Sequence, residues 1–448
     1  RQEGVGNSIK NNCRNAVNIL LRLPGIDRRL ELLSLRKNRL GDTDSGAGIS
    51  KHFWLSDFTV HHLGTAYVSV RNSSNRNKNT EYLNNENKKA YYIADGATPV
   101  IRTGNEYKNI FPVWDWSRIP GTTTAYLPFE EIPAPAAEYG ATQFVGGVSN
   151  GKGAVTVMDY SHNAVTARKA NFLFTTGFTA LGTAINGTGI QNVTTTLNQC
   201  IQNGNAYYSA KDGIGTAVTG QTLQLTGAQW VWHDRIGYFF PKAVDAVLSL
   251  QTRTGTWNAI NSSQSTDTVQ KNIYTLYLDH GLQPREDSYC YTVLPDIDRS
   301  ELADYVRAPD MTVLTNSKTS QAVWSARDQS AGFVFWNDQS MNYQESVILP
   351  SSVTGLRRDF TVTAKNPCAA LLAKTENGWN LSVSNPKNDD LAQITIEFNI
   401  PLFGRETIRN SDGSTQVTIS LPQGEERGKS VTIFLTDAPE ETDTKKIG

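Results

Sequence analysis

From about residue 50 onward the sequence repeats one pattern: short runs in which apolar and polar residues alternate, separated by Gly, Asn and Asp. The runs include T-A-Y-V-S-V-R (65–71), A-Y-Y-I-A-D (90–95), A-V-T-V-M-D-Y (154–160), A-N-F-L-F-T (170–175), T-L-Q-L-T (222–226), I-Y-T-L-Y-L-D (273–279), Y-C-Y-T-V-L-P (289–295) and G-F-V-F-W-N (332–337). They are rich in β-branched and aromatic side chains, which suit a pleated, half-buried surface. Period-two alternation gives each run one face for a core and one for water. So many runs in series specify a mainly β chain built on a large antiparallel sheet system. The exception, E-L-A-D-Y-V-R (301–307), reads as a short helical connector. No internal repeat is evident.

A length of 448 residues suits two or three domains with large cores. Residues 7–40 carry a helical pattern instead. N-A-V-N-I-L-L-R-L is broken at Pro24-Gly25, and I-D-R-R-L-E-L-L-S-L-R-K restarts with Asp27 near its beginning and basic residues toward its end, as the helix dipole favours. Such a hairpin cannot bury its own apolar face and must pack on something else. L-P-S-S-V-T-G (349–355) reads as a linker, and the six or so strand-like runs after it fit a separate small β-sandwich with a loose tail. The expected division is a helical segment at 1–48, a central β domain at 49–348 and a C-terminal β-sandwich at 349–448.

Charge is balanced, with 42 basic and 43 acidic residues, so electrostatics makes no case for nucleic acid or a membrane surface as partner. No apolar run approaches the roughly 20 residues of a membrane span. Cys13, Cys200, Cys290 and Cys368 are far apart and read as buried thiols, not as a zinc site or a disulfide framework. No histidine pair has HxH or HExxH spacing, so His52, His61, His62, His162, His233 and His280 read as satisfied sheet histidines. There is no GxSxG, no P-loop, and no GxGxxG opening a helix.

The stretch from Asn79 to Thr123 carries the chemistry. Glu81 and Glu86 stand among Asn84, Asn85 and Asn87, followed by Tyr91-Tyr92 and the segment Trp114-Asp115-Trp116. Acids and amides bond hydroxyls, and aromatic faces stack on pyranose rings, so the combination points to a sugar cleft. At these residues the chain resembles polysaccharide lyase family 8, the chondroitin AC, hyaluronate and xanthan lyases, and the chondroitin AC type most closely. W-L-S-D-F-T-V-H-H (54–62), T-T-T-L-N-Q (194–199), W-V-W-H-D-R-I-G-Y-F-F-P (230–241) and D-H-G-L-Q-P (279–284) carry the likeness in family order.

The resemblance implies a helical hairpin left from an α/α toroid, a large antiparallel β-super-sandwich and a small C-terminal β-sandwich. It also implies β-elimination on a uronic-acid-containing polysaccharide such as chondroitin or hyaluronan, by a secreted or periplasmic protein. A proton leaves C5 beside a carboxylate whose charge must be offset, a base takes that proton, and an acid protonates the leaving O4. In the family a Tyr and a His, with an Asn facing the carboxylate, do this from the toroid. Most of that toroid is absent from this sequence. The chain is therefore expected to supply the β-domain side of the cleft and, by itself, not to turn over substrate. Its missing partner is an N-terminal helical domain or chain.

Arg1 resembles a family arginine that bonds the catalytic Tyr, with an ordinary solvated arginine as the alternative. Glu81 matches a glutamate supporting that arginine and tyrosine, and Asn84 an asparagine lining the cleft, with a polar surface loop as the alternative. Asn85, Glu86 and Asn87 match an N-G-E-N segment on the substrate side, Asn85 replacing Gly; Glu86 reads as structural rather than catalytic. Calcium-binding relatives carry E-W-D…D-Y where this chain has Asp115, Ser117, Ala125 and Tyr126. One carboxylate and a tyrosine make a poor calcium site, so no metal is expected. Ala136-Ala137 fall where relatives carry a stacking aromatic. The competing reading is a non-catalytic carbohydrate-binding or structural β-protein on the same scaffold.

Overall fold

The computed structural model describes residues 49–336 and 342–437. The expected helices within 7–40, Arg1, Cys13 and the tail lie outside the described residues.

Four sheets account for the described strands. A five-stranded sheet opens the chain, from Ile49–Phe53 through Ala66–Asn72 to Val100–Ile101. A twelve-stranded sheet runs from Thr123–Ala125 to Asp287–Pro295. Val68 and Val70 are sealed from water on one face of their strand, whereas Ala154–His162 is buried on both faces, with Val155 and Val157 on one and Met158 and Tyr160 on the other. The large core gathers Phe178, Tyr238, Leu248, Tyr274, Leu276 and Tyr291.

One strand spans most of this layer. Ile236–Thr256 is 21 residues long. Its first four residues pair with Asp287–Pro295, and Val247–Thr256 pair with Thr268–Leu282. Pro241, Lys242 and Ala243 are exposed at the changeover. Proline has no N–H for a ladder, so it suits the place where one partner is left and the next not yet reached. At the far end Gly255 lies under the segment Phe111–Val113. A β-carbon at Gly255 would sit 1.7 Å from the Pro112 carbonyl oxygen, so backbone would have to move. Gly255→Ala is expected to cost at least about 2 kcal/mol by overpacking, read as a lower urea midpoint with unchanged slope. An unchanged midpoint would show that the crossing segment is loosely held.

The division between the two sandwiches differs from the expected one. Met311–Asn316, Ser320–Ser325 and Ser330–Phe335 join Cys368–Thr375 and Gly378–Ser384 in one six-stranded sheet. The C-terminal sandwich thus starts at 311, not 349. The helix Arg299–Arg307, closed by a capping box between Asp298 and Glu301, is the connector. Pro350 and Gly355 mark a hairpin instead of a linker: Leu349 pairs with Phe360, and one helical turn, Ser351–Thr354, fills the loop. Turn residues report where a strand stops, which happens inside domains as well as between them. The expected strand at 90–95 is likewise a 3-10 turn, Ala90–Tyr92, followed by the short strand Asp95–Ala97.

The two sandwiches share a core in which Phe144, Val155 and Phe172 meet Val334, Trp336 and Leu371. Arg76 fastens the same seam, donating to Val145 O (2.7 Å), Asp57 Oδ1 (2.9 Å) and Lys387 O (3.1 Å). Asp57 is buried and also accepts from Ser74 Oγ (2.5 Å) and Asn77 Nδ2 (2.7 Å). That knot fixes where the chain leaves the first sheet to form the loop at 79–88.

Candidate functional site

The loop is built from asparagines in the left-handed region. Asn84, Asn85 and Asn87 have φ of 52°, 58° and 58°. Asparagine adopts this conformation more readily than most residues, so Asn85 in place of Gly leaves the backbone intact. Glu86 N donates to Leu83 O at 2.8 Å. The Asn87 amide donates to Thr80 Oγ1 (2.7 Å) and Glu81 O (2.9 Å), closing the base of the loop. Tyr82 OH donates to Asn85 Oδ1 at 3.1 Å. Arg71 holds the start of the loop through Asn79 O at 2.9 Å, and its far side docks on 257–262, with Lys88 N on Ile260 O (2.8 Å) and Ser262 N on Asn85 O (3.1 Å).

The braced turn presents Glu81, Leu83, Asn84 and Glu86 to solvent. The side chains of Glu81, Asn84 and Glu86 make no hydrogen bond or ion pair with any described residue. The structure therefore brings five of the six expected site residues into one loop. It divides them by use: Glu81, Asn84 and Glu86 are free to meet a ligand, while Asn87 and the Asn85 oxygen hold the loop together.

Several neighbours were invisible as site residues. Tyr139 is 58% exposed and pairs in a backbone bridge with Lys78, whose Nζ stands 5.8 Å from its ring. Asn79 N donates to Glu138 O at 2.8 Å, which seats Tyr139 beside the loop. Ala136-Ala137, where the family likeness puts a stacking aromatic, lie just before it. Behind them Tyr91 lies on His162, ring centroids 4.5 Å apart, and His162 Nδ1 meets Asp95 at 2.7 Å. Burial works against the charged imidazole, but the Asp95 charge and hydrogen bond, with Glu138, outweigh it and raise the His162 pKa.

The expected stacking platforms Trp114 and Trp116 are 6% and 2% exposed, so no sugar face can reach them. They form an internal wall with Phe111, centroids 5.2–5.5 Å apart. Between them Asp115 points its carboxylate at Arg118 (2.8 Å) and Arg253 (3.5 Å). The Arg118 guanidinium is held between the rings of Tyr126 (4.0 Å) and Tyr277 (4.1 Å). Gln199 clamps this turn, accepting from Asp115 N (2.7 Å) and donating to Asp115 O (3.0 Å) and Arg118 O (2.7 Å). Ser117 Oγ donates to Leu127 O at 2.7 Å, and Ala125 O accepts from Tyr92 OH at 2.9 Å. This donor set does not fit a calcium ion: one carboxylate is present and two guanidinium groups face it.

The histidines are held by the sheets. His280 lies between Asp287 (2.7 Å to Nδ1) and Thr195 Oγ1 (2.8 Å to Nε2). The line resembles a nucleophile triad, yet Thr195 is wholly buried and its hydroxyl also meets Thr123 Oγ1 at 2.9 Å, which leaves no approach for a substrate. His233 accepts from Asn203 N at 3.1 Å and stacks on Tyr274 at 4.2 Å. Cys200, Cys290 and Cys368 are free thiols. No described helix is long and apolar enough to cross a membrane.

Comparison with known proteins agrees with this architecture. Residues 49–306 match the family model "Polysaccharide lyase family 8, super-sandwich domain", and 312–390 the model "Polysaccharide lyase family 8, C-terminal beta-sandwich domain". These limits coincide with the break between sheets near 311. Chondroitinase-AC of Pedobacter heparinus is 32% identical over 386 residues, covering 85% of this chain and 51% of that protein. A hyaluronate lyase of Thermasporomyces composti is 27% identical over 86% of this chain and 47% of its own length. A solved chondroitinase AC lyase superposes with a TM-score of 0.76 at 28% identity, covering 88% of this chain and 56% of that one. The chain thus spans about half the length of the relatives it matches. Both models together cover most of the sequence, and the chain belongs to polysaccharide lyase family 8.

Proposed function

We propose that the parent protein cleaves a uronic-acid-containing polysaccharide by β-elimination, as a carbon–oxygen lyase, and that this chain supplies one wall of the cleft through the 79–88 loop. The observation that carries the reading is the pair of side chains without a partner among the described residues, Glu81 and Asn84, on a loop whose backbone is tied down at both ends. A rigid loop with free polar groups is preorganised for a ligand. Glu81, an anion, cannot offset the substrate carboxylate. Its role is to hold a cationic or tyrosine side chain across the cleft, the part the family likeness gives to Arg1 and the catalytic Tyr. Asn84 donates and accepts at sugar hydroxyls. Tyr139 offers the exposed ring face that Trp114 and Trp116 do not.

The proton-transferring Tyr and His are assigned to the helical part, so residues 49–437 alone are expected to bind and not to cleave. No metal role is assigned to Asp115. A polymer of this size cannot enter a cell intact, so a secreted or periplasmic setting goes with the substrate. Nucleic acid and membrane are not proposed as partners.

Glu81→Gln in the active parent protein is expected to lower kcat about 10²-fold with little change in KM, because the support matters most as charge develops. Ultraviolet absorbance of the unsaturated uronide is the readout. An unchanged kcat would remove Glu81 from the cleft. Saccharide binding without unsaturated product from the parent protein would favour the non-catalytic reading instead.

A further inference from the structure

A second place on the molecule has the chemistry of a saccharide site. At the turn between the strands Gln221–His233 and Ile236–Thr256, next to the helix Arg299–Arg307, lies a groove of about 350 Å³ lined by Asn203, Asn205, Tyr207, Trp232, Asp234 and Arg299. It lies at the opposite end of the long strand from the 79–88 loop. Trp232 pairs with Gly237 near the strand's start, whereas the loop docks on Ile260 and Ser262 beyond its end. A strand of this length measures on the order of 60 Å when extended.

The side chains are poised rather than merely exposed. Arg299 lies over the Tyr207 ring at 4.3 Å and makes no hydrogen bond or ion pair with any other described residue, so its planar fork of donors is held by the ring and has no partner among the described residues. The acids near it are committed elsewhere. Asp234 takes Arg102 (3.1 Å) and Asn203 Nδ2 (2.9 Å), Asp298 takes Arg235, and Glu301 accepts from Asp298 N (2.8 Å). Trp232 is half-buried, its Nε1 donating to Ile297 O at 2.9 Å, which fixes the ring 5.8 Å from Tyr207. The Asn205 amide is exposed and without a described partner.

A free guanidinium fork, a fixed indole and amides around one concavity match a sugar ring that bears an anion. We propose that this groove is a second, non-catalytic site for an anionic saccharide unit. Arg299 takes the carboxylate or sulfate ester, Trp232 takes the ring face, and Asn203 and Asn205 take hydroxyls. That the unit belongs to a polymer rests on the lyase reading above; the anion recognition rests on the groove alone.

The test is calorimetric titration of the 448-residue chain with three probes: a chondroitin 4-sulfate hexasaccharide, its non-sulfated counterpart, and neutral maltohexaose. Arg299→Ala, at an exposed position, is expected to weaken the anionic hexasaccharides about tenfold, with thermal unfolding unchanged. Glu81→Gln should leave that component in place. Loss for both anionic probes assigns the carboxylate to Arg299; loss for the sulfated probe alone assigns the sulfate. Affinity unchanged in Arg299→Ala, equal binding of maltohexaose, or no binding by the unmutated chain would overturn the groove site. Elimination activity in the parent with Arg299-independent binding sinks the groove alone. Arg299-dependent binding without elimination sinks the lyase reading alone.

Discussion

Acidification from about pH 6.5 to about pH 4 is expected to unfold this chain cooperatively, with net uptake of about three protons. Three buried histidines set the effect. Burial, with the charge of Arg76, pulls His52 down to about 3; burial alone pulls His233 to about 3; and burial pulls His61 to about 4 against the Phe174 carbonyl. Geometry agrees with the neutral forms. His233 Nε2 accepts a backbone N–H from Asn203, and a proton there would set donor against donor. His61 Nε2 donates to Phe174 O at 2.8 Å, leaving Nδ1 as an acceptor for Ser50.

The sign follows from where protons bind. Below the ordinary value of 6.5 the unfolded histidines take protons and the folded ones do not, so stability falls as pH falls until the folded values near 3–4 are reached. Each group contributes about 1.4 kcal/mol per pH unit inside that window, and the three together about 4. Typical stabilities of roughly 5–15 kcal/mol are then exhausted within a few pH units. His162, raised by Asp95, acts oppositely: its contribution is full below 6.5 and is lost as pH climbs through its higher folded value. Asp57, raised by burial, also favours the folded state in acid and offsets part of the loss. Tryptophan fluorescence across an acid series measures the midpoint. His233→Gln keeps an acceptor for Asn203 and should make the transition shallower by about one proton. A chain still folded at about pH 3, or a slope below one proton, would show that these sites hydrate on protonation instead of resisting it.

Arg118→Ala is expected to cost about 3–5 kcal/mol, among the largest effects of any single change here. The Asp115 side chain is 8% exposed and that of Arg118 14%. Removing the guanidinium leaves a buried carboxylate with one backbone donor, Ser117 N at 3.2 Å, and Arg253, 3.5 Å away and itself 35% exposed. It also empties the slot between Tyr126 and Tyr277, where two desolvated cation–π contacts are each worth about 0.5–2 kcal/mol. Arg118→Lys keeps the charge but not the planar stack, and should recover about half of the loss. Because the guanidinium fills the cationic role, added calcium should leave the thermal midpoint of the unmutated chain where it is. A loss under about 1 kcal/mol in Arg118→Ala, or a calcium-dependent midpoint, would mean that the pair is a solvated surface contact.

The β character was plain in runs such as 154–160, which do form a strand, although burial there covers both faces instead of alternating: Val155 and Val157 face the core shared by the sandwiches, Met158 and Tyr160 the large core. Equally plain was the turn at 84–87, where the asparagines take the left-handed conformation that their residue type favours. What failed to show was long-range. Trp114 and Trp116 look like sugar platforms locally, and only the strand above them shows that they are core. The role of Arg118 does not show in its local segment, since one of the two rings that hold it, Tyr277, comes from a distant strand. Tyr139 follows the alanines that seemed to delete an aromatic, and its place beside Lys78 depends on a bridge that no spacing announces. The domain boundary slipped because Pro350 and Gly355 mark a turn whichever side of a boundary they fall on.

The shared seam between the sandwiches bears on how the polypeptide is made. The side chains of Phe144, Val155 and Phe172 can form as part of the first sheet system well before Leu371 has been synthesised, yet they are covered by Val334, Trp336 and Leu371. During synthesis the growing chain therefore carries an oily flank for the time it takes to add roughly 200 residues, at about 5–20 residues per second. In that interval the bare flank is open to association with other apolar surfaces, and it closes only when the last of its covering residues has been made.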